Sequence, residues 1–402
     1  AGAPLQTFAE SRDRATPPIP LFPGNGRVRR DVHMDRGFEC IDCHSQSDIM
    51  GDGNLYSKAY EAVEIRCETC HGTAESYPTV AQITDPKDRV LRLSRHYKGT
   101  TPSVGDWMVV SSHNRKLTNV KVEQDKIVVL GKRSGRKYET PLVRHSRQVH
   151  SLPGHRQRLG CTACHAQWVP RCTGCHMTLN QSRSPGESGN DTAWNPFRYS
   201  MTPVTPALMV GPRGKIVPML DPPERGVTAL DERGQAIAVL SRTGESRGRY
   251  REWEYTNPHG YSGSNLAYAL NPHSVGKARS CASCHLSPRT LGMGEGDLKL
   301  GRKPSGQNDE MRPLNRSDAV QRKSEFGPDA KITARGETLA GTSQPGARPF
   351  NQEEAHRILK VGNCIPCHDR YDDPIYRNMD KSYAFEAKVQ HRKRRNKILR
   401  KR

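Results

Sequence analysis

The chain has 402 residues and carries 63 Lys and Arg against 42 Asp and Glu, which gives a net charge of +21. Only 34% of the residues are hydrophobic and 6% are aromatic, which is little apolar material for the core of a chain of this length. The longest run of Val, Ile and Leu, Ile127 to Leu130, is far too short to form a transmembrane helix.

The twelve cysteines fall into six pairs, and each pair has the pattern Cys-x-x-Cys-His. No cysteine is left over. We number these motifs 1 to 6 in chain order: Cys40-Cys43-His44, Cys67-Cys70-His71, Cys161-Cys164-His165, Cys172-Cys175-His176, Cys281-Cys284-His285 and Cys364-Cys367-His368.

The first two predicted segments carry motifs 1 and 2 and a motif-free insert. Residues 1–76 combine a proline-rich extended arm, over 1–32, with motifs 1 and 2. Residues 77–144 form a basic insert in which Trp107 to Val110 and Lys126 to Leu130 predict strands. We therefore expect a small antiparallel sheet in this insert.

The third segment, residues 145–182, contains motifs 3 and 4 in close succession. Six residues separate His165 from Cys172. Groups attached to these two motifs must lie near contact in any fold, and we expect Trp168 to pack against them.

The last two segments are a second insert and the C-terminal part. In residues 183–272, the runs Val227 to Leu230 and Ala236 to Leu240 flank turn-forming residues and predict a hairpin. Residues 273–402 hold motifs 5 and 6, a predicted helix over Glu353 to Val361, and a basic tail.

Cys-x-x-Cys-His is the attachment signature of c-type haem. Two thiols one helical turn apart reach the two vinyl groups on one porphyrin edge, and the following histidine becomes the proximal iron ligand. Structural zinc would use sets of four ligands and does not require a histidine after every pair. A disulfide scaffold requires no histidine. The pattern therefore predicts six covalently attached haem c groups.

With these motifs, and with the local sequences His33 to His44, Cys161 to His176 and Ser280 to His285, the chain resembles the multihaem c-type cytochromes of anaerobic respiratory chains that export electrons. The resemblance covers about a third of the chain. It implies a mostly irregular, haem-cored fold with short helices at the motifs and small antiparallel β inserts. The haems would replace the missing side-chain core.

The resemblance also implies export, because haem c is attached outside the cytoplasm. The chain starts at Ala1, without an initiator Met or a charged and apolar leader, which is expected of a mature form after removal of a signal peptide. We expect a periplasmic or extracellular protein.

Ten further histidines are available as distal iron ligands, so every haem can have two histidine ligands. In multihaem cytochromes a histidine shortly upstream of a motif often ligates a neighbouring haem. His259 and His96 are reserve candidates, whereas His113 and His391 are interpreted as surface histidines. Methionine ligation is not expected for most sites. The predicted distal ligands are His33, His145, His150, His155, His273 and His356.

The positive charge is concentrated in two regions. Residues 87–159 hold 17 Lys and Arg against 5 Asp and Glu, and residues 387–402 hold 9 against none. The excess of Lys and Arg in residues 87–159 has a second explanation, because these side chains could neutralise the negative charges of haem propionates. The tail is predicted to be a disordered basic arm that binds an acidic partner or an anionic membrane surface. Nucleic acid is not expected as a partner of an exported cytochrome.

These observations favour a protein without catalytic residues that conducts electrons between redox partners through six low-spin, bis-histidine haems. The alternative is a multihaem reductase in which one open haem reduces a small nitrogen or sulfur oxyanion, although no Cys-x-x-Cys-Lys motif is present. A special form of the conduit is an extracellular filament. Motifs 1 and 6 lie near opposite ends of the chain, so self-association through the terminal arms would bring their haems together.

Overall fold

The computed structural model describes residues 31–99, 101–146, 150, 152–173, 175–180, 200–220, 225–241, 244–247, 267–294, 297–301, 310–314, 330–333, 336–342, 344–386 and 388–399. The chain divides into two compact units. The flanking unit comprises Val32–Cys161 and Arg370–Arg402, and the central unit comprises Ala1–Asp31 and Thr162–Asp369. The predicted arm over 1–32 lies almost entirely outside the described residues.

Most helices are short, and several coincide with the Cys-x-x-Cys-His motifs. The α-helices are α1 (Val32–Asp35), α2 (Cys40–Cys43), α3 (Gln46–Met50), α4 (Cys67–His71), α5 (Arg89–Leu93), α6 (Pro153–Arg158), α7 (Cys161–His165), α8 (Cys281–His285), α9 (Gln352–Gly362), α10 (Met379–Glu386) and α11 (Val389–Leu399). Short 3-10 helices lie at Ala59–Glu61, Ser94–His96, Val143–His145 and Pro374–Arg377.

The strands form several small sheets. They are β1 (Val80–Gln82), β2 (Trp107–Val110), β3 (Lys116–Glu123), β4 (Lys126–Leu130), β5 (Lys137–Glu139), β6 (Val169–Thr173), β7 (Cys175–Asn180), β8 (Ser200–Val204), β9 (Ala207–Val210), β10 (Ile216–Leu220), β11 (Arg225–Leu230), β12 (Ala236–Ser241), β13 (Gly244–Arg247), β14 (Tyr268–Ala269), β15 (Asp297–Gly301) and β16 (Glu310–Leu314).

In the flanking unit, β1 to β5 form one antiparallel sheet in which each strand pairs with the next along the chain. Strands β2 and β4 coincide with the two predicted runs, so these strand predictions are confirmed. The turn between β3 and β4 consists of Gln124 and Asp125, at φ 49° and 60°. Two consecutive positive φ values are what a type I′ hairpin turn requires.

This sheet is covered on both faces. Met108 and Val109 are neighbours in β2 and therefore point to opposite faces, and both are fully buried. Met108 packs with Ile83 and with Val90 of α5. On the other face, the cluster around Val109 also takes in Phe38 and Cys70, from the segment that carries motifs 1 and 2. That buried cluster is Val109, Leu117, Val120, Ile127, Val129 and Leu142.

A buried polar network fastens the segment after motif 1 to the turn between β2 and β3. The side chains of Asp52 and Glu64 are only 4% and 3% exposed. Asp52 accepts hydrogen bonds from the Tyr56 hydroxyl at 2.6 Å and from the Arg115 guanidinium at 2.8 Å. Glu64 accepts one from Ser111 Oγ at 3.2 Å. The hydrogen bond from Tyr56 is the main reason why the pKa of Asp52 lies well below its usual range.

The central unit contains smaller sheets. Strands β9, β10 and β14 form an antiparallel sheet, while β7, β11, β12 and β13 form a mixed one in which β7 and β11 run parallel. The hairpin of β11 and β12 covers the two runs that predicted it, so this prediction is confirmed. Helix α9 likewise contains the predicted helix.

Motif 4 does not form the short helix expected at a haem motif. Cys172 lies in β6, while Cys175 and His176 lie in β7, and these strands pair with β8 and β11 respectively. The β-branched residues Val169 and Thr173 favour an extended backbone. Pairing with β8 and β11 satisfies the backbone hydrogen bonds of this extended segment. The side chains of residues 171–180 lie outside the described part.

The prediction of a disordered basic tail is wrong for residues 389–399, which form α11. Lys, Arg, Gln and Leu are good helix formers, and their sequence there contains no Gly or Pro. Helix α11 contacts α10, where the rings of Phe385 and His391 meet edge to face with their centres 5.6 Å apart. Among the described helices, none is long and apolar enough to cross a bilayer.

We predict that Ile127→Ala destabilises the flanking unit by about 2–5 kcal/mol, because it removes a fully buried side chain and leaves a cavity. Urea unfolding of the protein, followed by far-ultraviolet circular dichroism, measures the change. Val104→Ala is the matched control, because Val104 is 51% exposed. Equal midpoints for the two variants would contradict the proposed core.

We predict that the loss of unfolding free energy caused by Asp52→Asn becomes smaller as the pH falls. Because the pKa of Asp52 is depressed in the folded state, its ionised form stabilises the fold above the unfolded pKa of about 3.9. That contribution is lost as the pH falls toward the folded pKa. The difference in unfolding free energy between wild type and Asp52→Asn should therefore shrink from pH 7 to pH 3. Asp85→Asn, at an exposed carboxylate, should show no such trend, and a widening gap for Asp52→Asn would refute the prediction.

Candidate functional site

Motif 2 is a single helical turn, Cys67–His71, that packs on the sheet of the flanking unit. Cys70 lies against the apolar cluster of that sheet. Burial, with a further contribution from the nearby Cys43 thiol, raises the pKa of Cys70 to about 12. The imidazole of His71 donates a hydrogen bond from Nδ1 to the backbone carbonyl of Pro141 at 2.7 Å.

Motif 1 is fastened to the same sheet through the buried carboxylate of Asp42 in α2. This side chain accepts the backbone N–H of Lys132, just after β4, at 2.7 Å. The ammonium group of Lys132 in turn binds the backbone carbonyl of Ile41. The motif histidine, His44, donates from Nδ1 to the carboxylate of Asp48, one turn further along the chain.

In motif 3, helix α7 is held by the residues just before motif 5, and from Thr162 onward it belongs to the central unit. His165 Nδ1 donates to the backbone carbonyl of Gly276 at 2.9 Å, and the Gly276 N–H donates back to the His165 carbonyl at 2.9 Å. Thr162 Oγ1 donates to Asn271 Oδ1 at 2.8 Å. Gly276 therefore holds both the ring and the backbone of His165.

In motif 5, helix α8 begins at a serine cap, in which Ser280 Oγ accepts the Ser283 N–H at 3.2 Å. His285 Nδ1 donates to the backbone carbonyl of Ile358 in α9 at 2.8 Å. Burial against α9 lowers the pKa of His285, which favours its neutral form. Neutral imidazole is the form that binds a metal ion.

Motif 6 follows α9 directly and forms a turn instead of a regular helix. The N–H groups of Cys367 and His368 both donate to the Cys364 carbonyl, at 3.2 Å and 3.0 Å. The two cysteines therefore still lie one turn apart, as attachment to one porphyrin requires.

Four motif histidines share one feature that fits them for iron ligation. Each uses Nδ1 to donate a hydrogen bond to an oxygen atom, and a neutral imidazole that donates from Nδ1 carries its lone pair on Nε2. Metal-binding histidines are usually held in this way by the nitrogen that does not bind the metal. The hydrogen bond fixes both the tautomer and the plane of the ring. The four are His44, His71, His165 and His285.

Thiols from two different motifs meet in the flanking unit. Cys67, Glu68 and Cys161 place one ligand atom each within 4.8 Å of one another, which makes them a potential metal-binding group among the described residues. The hydrogen bond between the two thiols, followed by burial, raises the pKa of Cys67. Each thiol is also half of a Cys-x-x-Cys-His pair, so the residues present fit haem attachment as well as metal binding.

Among the predicted distal ligands, His33 lies beside a motif histidine. The ring centres of His33 and His71 are 6.0 Å apart. A metal–imidazole bond is about 2 Å long, so two imidazoles on opposite sides of one metal ion have ring centres about 6 Å apart. The observed separation therefore fits two ligands of a single iron, and it pairs His33 with motif 2.

The end of strand β5 positions both of these histidines. The Tyr138 hydroxyl donates to the Gly37 carbonyl at 3.0 Å, and the ring of Tyr138 packs against Phe38 at 4.2 Å. Gly37 has φ 98°, and a Cβ there would lie 3.2 Å from the tyrosine oxygen, so glycine suits this position. Three residues after Tyr138, the Pro141 carbonyl holds His71.

The other predicted distal ligands lie at separate places in the chain. His150 donates from Nδ1 to the Ser146 carbonyl at 2.9 Å, as the motif histidines do, and is partly buried. His155 is partly buried in α6, whereas His145, His273 and His356 are exposed. The reserve candidate His259 lies outside the described residues, and His96 is exposed in a 3-10 helix.

Two histidines that we interpreted as surface residues are partly enclosed. The His113 side chain is 16% exposed, and Nε2 donates to the Glu61 carbonyl at 2.8 Å. In His391, Nδ1 is shielded from solvent and has no hydrogen-bond partner among the residues that the structure describes. Their basic surroundings suggested solvent, but Tyr56 and Phe385 pack against their rings.

Several apolar side chains next to motif 1 are exposed to solvent. Ile41, Ile49 and Met50 are 38%, 57% and 79% exposed. Cys40 and Cys43 are also exposed, although cysteine is among the most often buried residues. A large apolar group attached to these two thiols would cover this surface, so the residues present fit a haem.

No protein-family model matches the chain, and no curated protein or solved structure matches it.

Proposed function

We propose that this chain is a multihaem c-type cytochrome that conducts electrons through six covalently attached haems. The observation that carries the proposal is the repeated combination of a Cys-x-x-Cys-His motif with an Nδ1 hydrogen bond from its histidine. When bound, each haem supplies an iron that is reversibly oxidised and reduced. The cysteines hold the porphyrin edges, and the motif histidines hold the irons from one side.

The contacts between motifs support electron transfer from one haem to the next. Cys67 lies against Cys161, so thiols from motifs 2 and 3 are neighbours. Cys43 of motif 1 is close enough to Cys70 of motif 2 to contribute to its raised pKa. Haems joined to neighbouring thiols have nearby edges.

The pairing of His33 with His71 supports conduction in preference to catalysis at motif 2. An iron with two histidine ligands has no open position for a substrate. A reductase would require one iron without a distal ligand, and nothing in the described residues favours that alternative.

The partners that we propose are redox proteins, in keeping with an exported protein. Helix α11 presents Arg392, Lys393 and Arg394 and contains no acidic residue. Such a helix attracts an acidic protein or an anionic membrane surface, and the attraction weakens with salt. Self-association into a filament belongs to the same proposal, and sedimentation at low and high salt separates it from a monomeric conduit.

We predict six haems per polypeptide in the mature protein, one for each motif. The pyridine haemochrome assay and the mass of the intact protein both measure this number. Replacing both cysteines of motif 2, with Cys67→Ala and Cys70→Ala, should lower it to five. Five or fewer haems in the unmodified, fully matured protein would refute the assignment.

We predict that His33→Ala converts one low-spin haem into a high-spin haem, because it removes the ligand opposite His71. Low-temperature electron paramagnetic resonance of the oxidised protein detects the change. His113→Gln is the control, since the His113 ring binds the Glu61 carbonyl, and all of its haems should stay low-spin.

The pairing itself is tested by combining variants. In a protein that lacks the motif 2 haem through Cys67→Ala and Cys70→Ala, adding His33→Ala should create no high-spin signal. A new signal there would show that His33 ligates a different iron.

A further inference from the structure

The proximal histidine of motif 1 differs from the others in its hydrogen-bond acceptor. His71, His165 and His285 donate from Nδ1 to neutral backbone carbonyl groups. His44 donates to the carboxylate of Asp48. Among the four proximal histidines with a described Nδ1 partner, His44 is therefore the one that faces an anionic group.

Asp48 is built into this position. It lies in α3, where its N–H donates to the capping Ser45 Oγ at 3.1 Å. Its side chain is 15% exposed, so solvent screens its charge only partly. The Glu64 N–H donates to the second carboxylate oxygen at 3.4 Å. The geometry leaves one carboxylate oxygen for the ring of His44.

A carboxylate acceptor changes the iron ligand more than a carbonyl does. The hydrogen bond to an ionised group is stronger than one to a neutral carbonyl, and it draws the Nδ1 proton away from the ring. The ring then becomes a more basic ligand at its other nitrogen. A more basic ligand and a nearby negative charge both favour the oxidised iron, because reduction adds a further negative charge.

We propose that Asp48 is a positioning residue that lowers the reduction potential of the haem attached to motif 1. This inference rests on the proposed function, because it requires that haem to be present. Its effect is to make this haem a better electron donor than the same haem would be with a carbonyl acceptor at His44.

One cation nearby acts in the opposite direction. The ammonium group of Lys132 binds the Ile41 carbonyl and lies 3.4 Å from the His44 carbonyl oxygen. A positive charge there raises the potential of the same haem. The proposal therefore concerns the contribution of Asp48, which a single substitution isolates because Lys132 is unchanged.

The test is a spectroelectrochemical titration of the haem-loaded Asp48→Asn variant at a fixed pH. Asparagine keeps the size of the side chain and still accepts the Nδ1 hydrogen bond, but it carries no charge. We expect one of the six transitions, about a sixth of the absorbance change, to shift to a more positive potential. The other five transitions should stay in place. Asp48→Glu, which restores a carboxylate, should return the shifted transition toward its original potential.

Asp52→Asn is the matched control for charge. It removes a carboxylate four residues away that is hydrogen bonded to Tyr56 and Arg115 and not to a proximal histidine. The inference is overturned if Asp48→Asn shifts no transition, shifts one to a more negative potential, or shifts it no more than Asp52→Asn does. A full set of six haems without the shift refutes only the role of Asp48, whereas a protein without six haems refutes the proposed function.

Discussion

The hydrogen bond from the Nδ1 atom of a motif histidine is the constraint on which the rest of the candidate site depends. Two thioether bonds would fix a porphyrin edge, but they leave the histidine ring free to turn. An oxygen acceptor at Nδ1 decides which nitrogen carries the lone pair and holds the ring in one plane. The acceptors come from far along the chain: Pro141 for His71, Gly276 for His165 and Ile358 for His285. Motifs 2, 3 and 5 therefore depend on a distant segment being folded, and the inserts that supply these acceptors are part of the site.

In the flanking unit, residues at and just after strands β4 and β5 of the five-stranded sheet hold motif 1, the turn after His33 and motif 2. The backbone N–H of Lys132 holds Asp42 of motif 1, Tyr138 holds the turn after His33, and Pro141 holds His71. A shift of one residue in the register of β4 and β5 would exchange the faces of these side chains. The apolar cluster beneath them resists such a shift. The sheet thus supplies a folded support for the segment that carries motifs 1 and 2.

The sequence alone predicted the parts that depend on local pattern. The runs at β2 and β4, the hairpin of β11 and β12 and the helix α9 follow from alternation and helical spacing, and they are confirmed. Motif 4 was missed because its partners, β8 and β11, are distant in sequence and override the local expectation of a helix. The oxygen acceptors of the proximal histidines could not be predicted, since backbone carbonyls leave no signature in a sequence. Asp48 is the exception, because an acid four residues after His44 is a spacing that is visible in the sequence.

The contact between Cys67 and Cys161 has a consequence for how the protein is made. Two thiols of different motifs that touch in the folded chain would, in an oxidising compartment, be open to a crossed disulfide that blocks both motifs. The raised pKa of Cys67 slows that reaction, because the thiolate is the reactive form. Under the proposed function, the crossed disulfide is avoided when haem is joined while the chain is still extended, with motif 2 completed before motif 3 approaches it. Biogenesis would then run in the direction of synthesis, and the sheet of the flanking unit would close around haems that are already in place.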